Sequence, residues 1–193
     1  MKNILGLSVL YILLSISASA QERKFNLLFI AGANASQVNG DKLAGFDKFG
    51  MYTGMGIKRQ VNQRSGWQFE ILYSEKGSKD VPGANNILLD TIFRFNYIDI
   101  PVLYNYEVIK NLTAQIGIFN AFRLNAEYDD FVNVFDRNSQ IRVMDHGVCG
   151  GIEYRLNDRW HANLRLSQSI LDINNSFERY YNLYSSFSIR YQL

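Results

Sequence analysis

Cysteine is nearly absent. The 193 residues contain one, so no intramolecular disulfide can form, and no Cys-x-x-Cys or Cys/His spacing offers a zinc site. Proline is almost as scarce, with two in the chain, and no Pro/Ser-rich linker divides it. Two histidines restrict imidazole chemistry to His146 and His161. No charge of one sign dominates: 20 Lys+Arg face 18 Asp+Glu, for a formal +2. A nucleic-acid binder concentrates basic residues on one face to neutralise phosphates. No Lys/Arg-rich run appears here, so no nucleic-acid partner is expected. After residue 20 no run of 18 apolar residues occurs, which excludes a further helical membrane span.

Aromatic and apolar residues are plentiful. Phe, Tyr and Trp make up 14%, with 12 Tyr and 13 Phe, a composition that leans towards strands. Hydrophobic content of 47% excludes disorder as the main state. Met1 to Ala20 reads as a secretory signal peptide. Lys2 is the positive n-region, Ile4 to Ile16 the apolar h-region, and Ala18-Ser19-Ala20 the small-residue cleavage site. The domain then covers residues 21–193, outside the cytoplasm.

That domain carries period-two alternation in segments of about ten residues, bounded by Gly/Asn/Asp/Ser clusters. Trp67, Phe69, Ile71 and Tyr73 alternate with Gln68, Glu70 and Ser74. Ile98, Ile100, Val102, Tyr104 and Tyr106 alternate with Asp99, Pro101 and Asn105. Like patterns cover Leu112–Ile118, Val148–Leu156, Trp160–Leu166 and Leu183–Leu193. Weaker ones cover about 25–36 and 50–61. The expected fold is all-β, an eight-stranded antiparallel up-and-down barrel. Its connections alternate between tight turns (62–66, 107–111, 157–159) and long segments (about 37–49, 76–94, 125–143 and 172–181). All the tight turns and both ends of the domain then share one side, the asymmetry of transmembrane barrels.

A soluble barrel turns its apolar face inward, whereas an outer-membrane barrel turns it to lipid. Alternation alone serves both. The aromatic residues discriminate. Trp67, Tyr104, Tyr106, Tyr154, Trp160 and Tyr191 gather near the short-turn end of the apolar face, as rings do where hydrocarbon meets headgroups. The polar face carries Lys58, Glu70, Asp99, Arg123, Glu153, Arg155, Arg165 and Arg190, a charge network expected to fill the lumen. If Val61 pairs with Trp67, Lys58 faces Glu70. If Leu156 pairs with Trp160, Glu153 lies diagonal to Arg165. Gly54, Gly56, Gly117, Gly147 and Gly151 on this face make room for long side chains.

Four groups of residues strengthen this reading. Gly45-Phe46-Asp47-Lys48-Phe49-Gly50 precedes Trp67-x-x-Glu70-Ile71-x-Tyr73-Ser74-x-Lys76-Gly77-Ser78. Tyr97-Ile98-Asp99-Ile100-Pro101-Val102-Leu103 follows, and then Asp145-x-Gly147-x-x-x-Gly151-Ile152-x-Tyr154. Together they resemble the PorT-like outer-membrane β-barrel proteins of Bacteroidota. The resemblance implies the outer membrane of a Gram-negative bacterium, contact with membrane lipid, insertion by the barrel-assembly machinery, and a link in some members to envelope or secretion proteins.

No catalytic, cofactor or metal site is expected. Nucleophilic catalysis needs an oriented base beside its nucleophile. His146, next to Asp145, has no partner serine at a telling spacing, and His161 falls at the short-turn end. Asp129, Asp130, Asp136 and Asp145 could offer oxygen to Ca²⁺, but they lack the spacing and glycine of an EF-hand loop. Cys149 reads as a small buried filler. The expectation is a non-enzymatic barrel with a plugged lumen and external loops for binding or accessory work. The alternatives are a lipid A-modifying enzyme and a soluble periplasmic ligand-binding barrel.

Overall fold

The computed structural model describes residues 25–40, 45–79, 92–129, 133–175 and 178–193. The expected signal peptide lies outside them. Nine strands are present among the described residues: β1 Phe25–Asn39, β2 Lys48–Gln60, β3 Ser65–Lys79, β4 Ile92–Ile109, β5 Leu112–Asp129, β6 Val134–Asp136, β7 Met144–Arg155, β8 Trp160–Ser169 and β9 Tyr181–Gln192. Eight of them run around a barrel in the order β4-β3-β2-β1-β9-β8-β7-β5, closed by pairing of β4 with β5. Every pairing is antiparallel. The short β6 extends the sheet beside the far end of β5.

Side-chain orientation follows the alternation. Ile116 is 67% exposed and Leu164 49%, whereas their neighbours Gln115 and Asn163 are buried. Arg165, Arg190, Lys76 and Glu70 are buried inside. This is the inverse of a soluble barrel, in which water would take the charged face. The rings at the short-turn end form cross-strand pairs: Trp67 with Tyr104, centroids 5.3 Å apart, and Trp160 with Tyr191 at 5.0 Å.

Asparagine builds each tight turn. Asn62 Oδ1 accepts from the backbone N–H of Arg64 and Ser65, and Asn157 Oδ1 from those of Arg159 and Trp160. Both are Asx turns. Asn111 adopts a φ of 70° between β4 and β5, a left-handed conformation that asparagine tolerates better than most residues. Pro101 leaves a mark on β4. The β3–β4 ladder skips residues 70 and 71 opposite 100 and 101, where proline has no N–H to donate.

Two expectations are corrected. Strands run farther from the tight-turn end than the hydrophobic pattern shows: β3 continues to Lys79, β4 begins at Ile92 and β5 reaches Asp129. Parts of the segments assigned to long connections are therefore strand. In these extensions the outward residues are polar, for example Glu75 and Lys79. Above a hydrocarbon layer both faces of a strand meet polar surroundings, so the alternation fades while the backbone ladder continues. The β2–β3 register also differs. Val61 and Asn62 donate their N–H to Ser65 O within the turn, so Trp67 pairs with Arg59 and Lys58 faces Gln68. Lys58 does not face Glu70. The β7–β8 register is as expected, with Glu153 opposite Asn163.

Candidate functional site

The lumen is the most highly organised polar region of the barrel. Its lower layer, towards the tight turns, centres on Glu70 of β3. Arg165 of β8 grips this carboxylate with both terminal nitrogens, Nη1 to Oε2 at 2.7 Å and Nη2 to Oε1 at 3.0 Å. Such a fork is among the stronger charge-assisted arrangements. Arg190 of β9 reaches two carboxylates with Nη1, Glu70 Oε1 at 3.2 Å and Glu153 Oε2 at 3.0 Å. Lys58 Nζ of β2 completes the chain by donating to Glu153 Oε1 at 2.9 Å.

Amides close this chain into a ring. Arg190 Nη2 donates to Asn163 Oδ1 at 2.9 Å, Asn163 Nδ2 to Gln115 Oε1 at 2.8 Å, Gln115 Nε2 to Asn105 Oδ1 at 3.0 Å and Asn105 Nδ2 to Gln68 Oε1 at 3.0 Å. Gln68 Nε2 then donates back to Glu70. Tyr52 Oη accepts from Arg165 Nη1 at 3.1 Å. Seven of the eight barrel strands, all but β1, contribute a side chain to this layer.

A second charged layer sits farther out. The Lys76 ammonium lies 2.8 Å from Asp99 Oδ1 and 3.9 Å from Asp145 Oδ2. Three rings surround it: Tyr184 at 4.3 Å, Tyr97 at 4.7 Å and Phe119 at 5.0 Å from Nζ to centroid. Tyr184 Oη donates to the other oxygen of Asp99 at 2.8 Å, and Asn182 Nδ2 to Asp145 Oδ2 at 2.9 Å. Lys76, Tyr97 and Asp99 come from the stretches 67–78 and 97–103 singled out in the sequence. Their motifs meet in this cage. Across both layers Lys58, Lys76, Arg165 and Arg190 balance Glu70, Asp99, Glu153 and Asp145. Charges confined to a narrow interior must be paired, because leaving one uncompensated is strongly destabilising. The lumen meets that condition with formal neutrality.

Beyond the cage, described parts of two outer connections pack together. Ile141 and Ile173 are buried there, and Arg142 N–H donates to Ile173 O at 2.7 Å. A concavity of about 370 Å³ lies beside them, lined by Phe93, Arg137, Gln140, Asn174 and Tyr180 among others. At the opposite end a polar vestibule of about 210 Å³ opens between the tight turns, with Lys58, Arg155 and His161 in its wall.

Six of the eight charged residues expected in the lumen join these layers: Lys58, Glu70, Asp99, Glu153, Arg165 and Arg190. Their pairing differs from expectation, since Glu153 binds Lys58 and Arg190 while Arg165 belongs to Glu70. Arg155 is exposed at the vestibule rim and joins neither layer. Arg123 is drawn outward to Asn138, whose backbone O accepts its Nη2 at 2.9 Å. Lys76 and Asp145 were missed. Lys76 continues the parity of Glu70 and Ser74, a signal hidden by assigning it to a connection. Asp145 lies on β7 and points into the lumen towards Lys76.

His146 faces outward, its Nδ1 2.6 Å from Asn120 Oδ1. His161 is buried and its Nδ1 has no hydrogen-bond partner. Asp129 pairs with Arg94 at 3.0 Å, and Asp136 accepts from Asn138 N–H at 2.7 Å. Asp130 lies outside the described residues. Among the described residues no three His, Cys, Asp or Glu side chains gather in a metal-binding group.

A family model described as "Outer membrane protein beta-barrel domain" matches residues 18–175. Among solved structures, the chain is similar to Ail, the attachment invasion locus protein of Yersinia pestis. Identity there is 13%, with 88% of this chain and 98% of that one covered and a TM-score of 0.55. It is also similar to Neisserial surface protein A, with 11% identity, 89% and 99% coverage and a TM-score of 0.55. At such identities the likeness shows the fold. No curated protein matches the chain.

Proposed function

The chain belongs to the outer membrane protein beta-barrel domain family, and from that membership we propose that it is a non-enzymatic scaffold that presents its outer end for binding or envelope and secretion accessory work. The observation that carries this reading is the neutral, cross-linked lumen. Eight strands enclose an interior about wide enough for side chains to fill, and here charged groups, amides and rings fill it. That argues against general diffusion. The outer mouth, by contrast, is elaborated: β4 and β5 are the longest strands described, each with 18 residues, and β6 extends them.

In this reading the tight turns face the periplasm, Met1 to Ala20 is removed on export, and the barrel-assembly machinery inserts the chain. The Lys76 cage supports a PorT-like relationship, because it gives the shared residues a common structural task. Catalysis finds no comparable support: His146 engages an amide, and His161 sits at the opposite mouth.

Cross-linking in intact envelopes tests the proposal. Replacing residues 137–140 with a Gly/Ser linker should leave the barrel in the outer membrane and remove its cross-linked neighbours. An unchanged neighbour profile would contradict a role for the outer end.

A further inference from the structure

Among the described residues the lipid-facing surface carries a pronounced hollow, and the ladder registers explain it. Trp67 pairs with Tyr104, Tyr104 with Ile116, Ile116 with Gly150 and Gly150 with Leu166. These five residues form a row across β3, β4, β5, β7 and β8, and all lie on the outward face. At Gly150 the row lacks a side chain. Strands β5 and β8 stand two spacings apart, roughly 9.5 Å, so Ile116 and Leu166 become walls and bare β7 backbone becomes the floor. The open concavity measures about 840 Å³ and includes Val102, Ile118 and Val148 in its lining.

Gly150 is not required by the backbone. It has no positive φ, and an added Cβ would meet nothing closer than Gln115 O at 3.7 Å. Gly117, Gly147 and Gly151 differ: a Cβ there would come within 2.1, 2.2 and 2.5 Å of backbone oxygens. Those three allow close packing of the sheet. What Gly150 supplies is the hollow itself.

We propose that this hollow is a lipid site, in which one acyl chain of a periplasmic-leaflet phospholipid lies over Gly150. The inference rests on the membrane-spanning reading of the barrel but not on its lumen being plugged. The hollow is continuous with the surface that an outer-membrane barrel turns to hydrocarbon. Its lower end is the Trp67–Tyr104 pair, and Trp67 stands two residues from the start of β3. Such amphipathic rings settle at the headgroup boundary. From there the row climbs to Leu166, six residues above Trp160 at the base of β8. A chain entering beside the rings therefore rises into the membrane along an apolar trough. A second copy of the barrel fits less well, because an isologous contact sets the same patch against itself. Hollow would face hollow, leaving a void where interfaces need close packing.

The two tryptophans of the chain provide the probe. Trp160 also sits in a ring pair at the tight-turn end, away from the hollow, and serves as the control. Trp160→Phe leaves Trp67 as the sole emitter, and Trp67→Phe leaves Trp160. Each variant is reconstituted in phosphatidylethanolamine/phosphatidylglycerol vesicles with brominated acyl chains, then transferred to detergent to strip loosely held lipid. Trp67 should remain quenched after transfer while Trp160 recovers its emission. Gly150→Leu, added to Trp160→Phe and verified as folded by heat-modifiable gel migration, should let Trp67 recover too. Equal recovery of the two tryptophans would overturn the proposal without any need for the Gly150 variant. Persistent quenching in a folded Gly150→Leu barrel would also overturn it, as would a dimer in sedimentation that Gly150→Leu dissolves.

Discussion

At the residue scale, the lumen depends on a few carboxylates that each hold more than one cation. Glu70 holds Arg165 and Arg190, so Glu70→Ala leaves two guanidinium groups short of a partner in a buried layer. Breaking a buried pair in this way costs about 3–5 kcal/mol. Asp129→Ala, at a surface bridge in which Arg94 is nearly half exposed, should cost about 0–1 kcal/mol. Denaturant unfolding in lipid vesicles compares the two. Lys76 is the counterpart on the cationic side. Lys76→Met keeps a chain of similar length among Tyr97, Phe119 and Tyr184 but leaves Asp99 and Asp145 without their cation. A loss on the order of 3–5 kcal/mol is expected, partly recovered when Asp99→Asn is added. If Lys76→Met unfolded like the wild type, the cage would not be an electrostatic centre.

The identity of the lumen charges was largely legible, because side chains alternate strictly along a strand and parity follows from a few apolar residues. Their partners were not. Partners depend on register and on the reach of Arg and Lys across the axis, and a shift of two residues in the 61–65 turn moved Lys58 from Glu70 to Gln68. Arg190 shows the reach: it joins carboxylates on β3 and β7 from its place on β9.

At the scale of single strands, depth decides what a position tolerates. Ile116 and Leu124 share the outward face of β5, eight residues apart. The lower one lies within the apolar band and the upper one near its outer edge. Arg at the bilayer midplane of a barrel costs roughly 2–4 kcal/mol, falling to about 0–1 near the interface. Ile116→Arg should therefore weaken folding by about that larger amount, and Leu124→Arg should be close to neutral in the same assay. Equal costs would show that β5 does not cross the membrane at this depth. The same depth effect explains why strand ends were misread from sequence. Within the band Ile116 and Gln115 contrast sharply, whereas at Glu75, Lys76 and Lys79 both faces are polar and no contrast remains. Tight turns were legible because Asn62, Asn111 and Asn157 serve as local turn formers.

At the scale of the whole molecule, the barrel is a cylinder filled by its own side chains. The Lys58–Glu153–Arg190–Glu70–Arg165 chain crosses it low down and the Lys76 cage fills it farther out, while Ile141 and Ile173 are buried among the outer connections. The barrel, its strand number and its inside-out polarity were all legible in composition and alternation. The packing of Ile141 and Ile173 was not, since they sit in segments with no periodicity to read. Closure from within is the central claim, and single-channel recording of the purified wild-type barrel in planar bilayers tests it most directly. The account predicts no stable conductance and no passage of sugar-sized solutes into vesicles carrying the same protein. Large, long-lived conductance steps would contradict it and make transport the leading function.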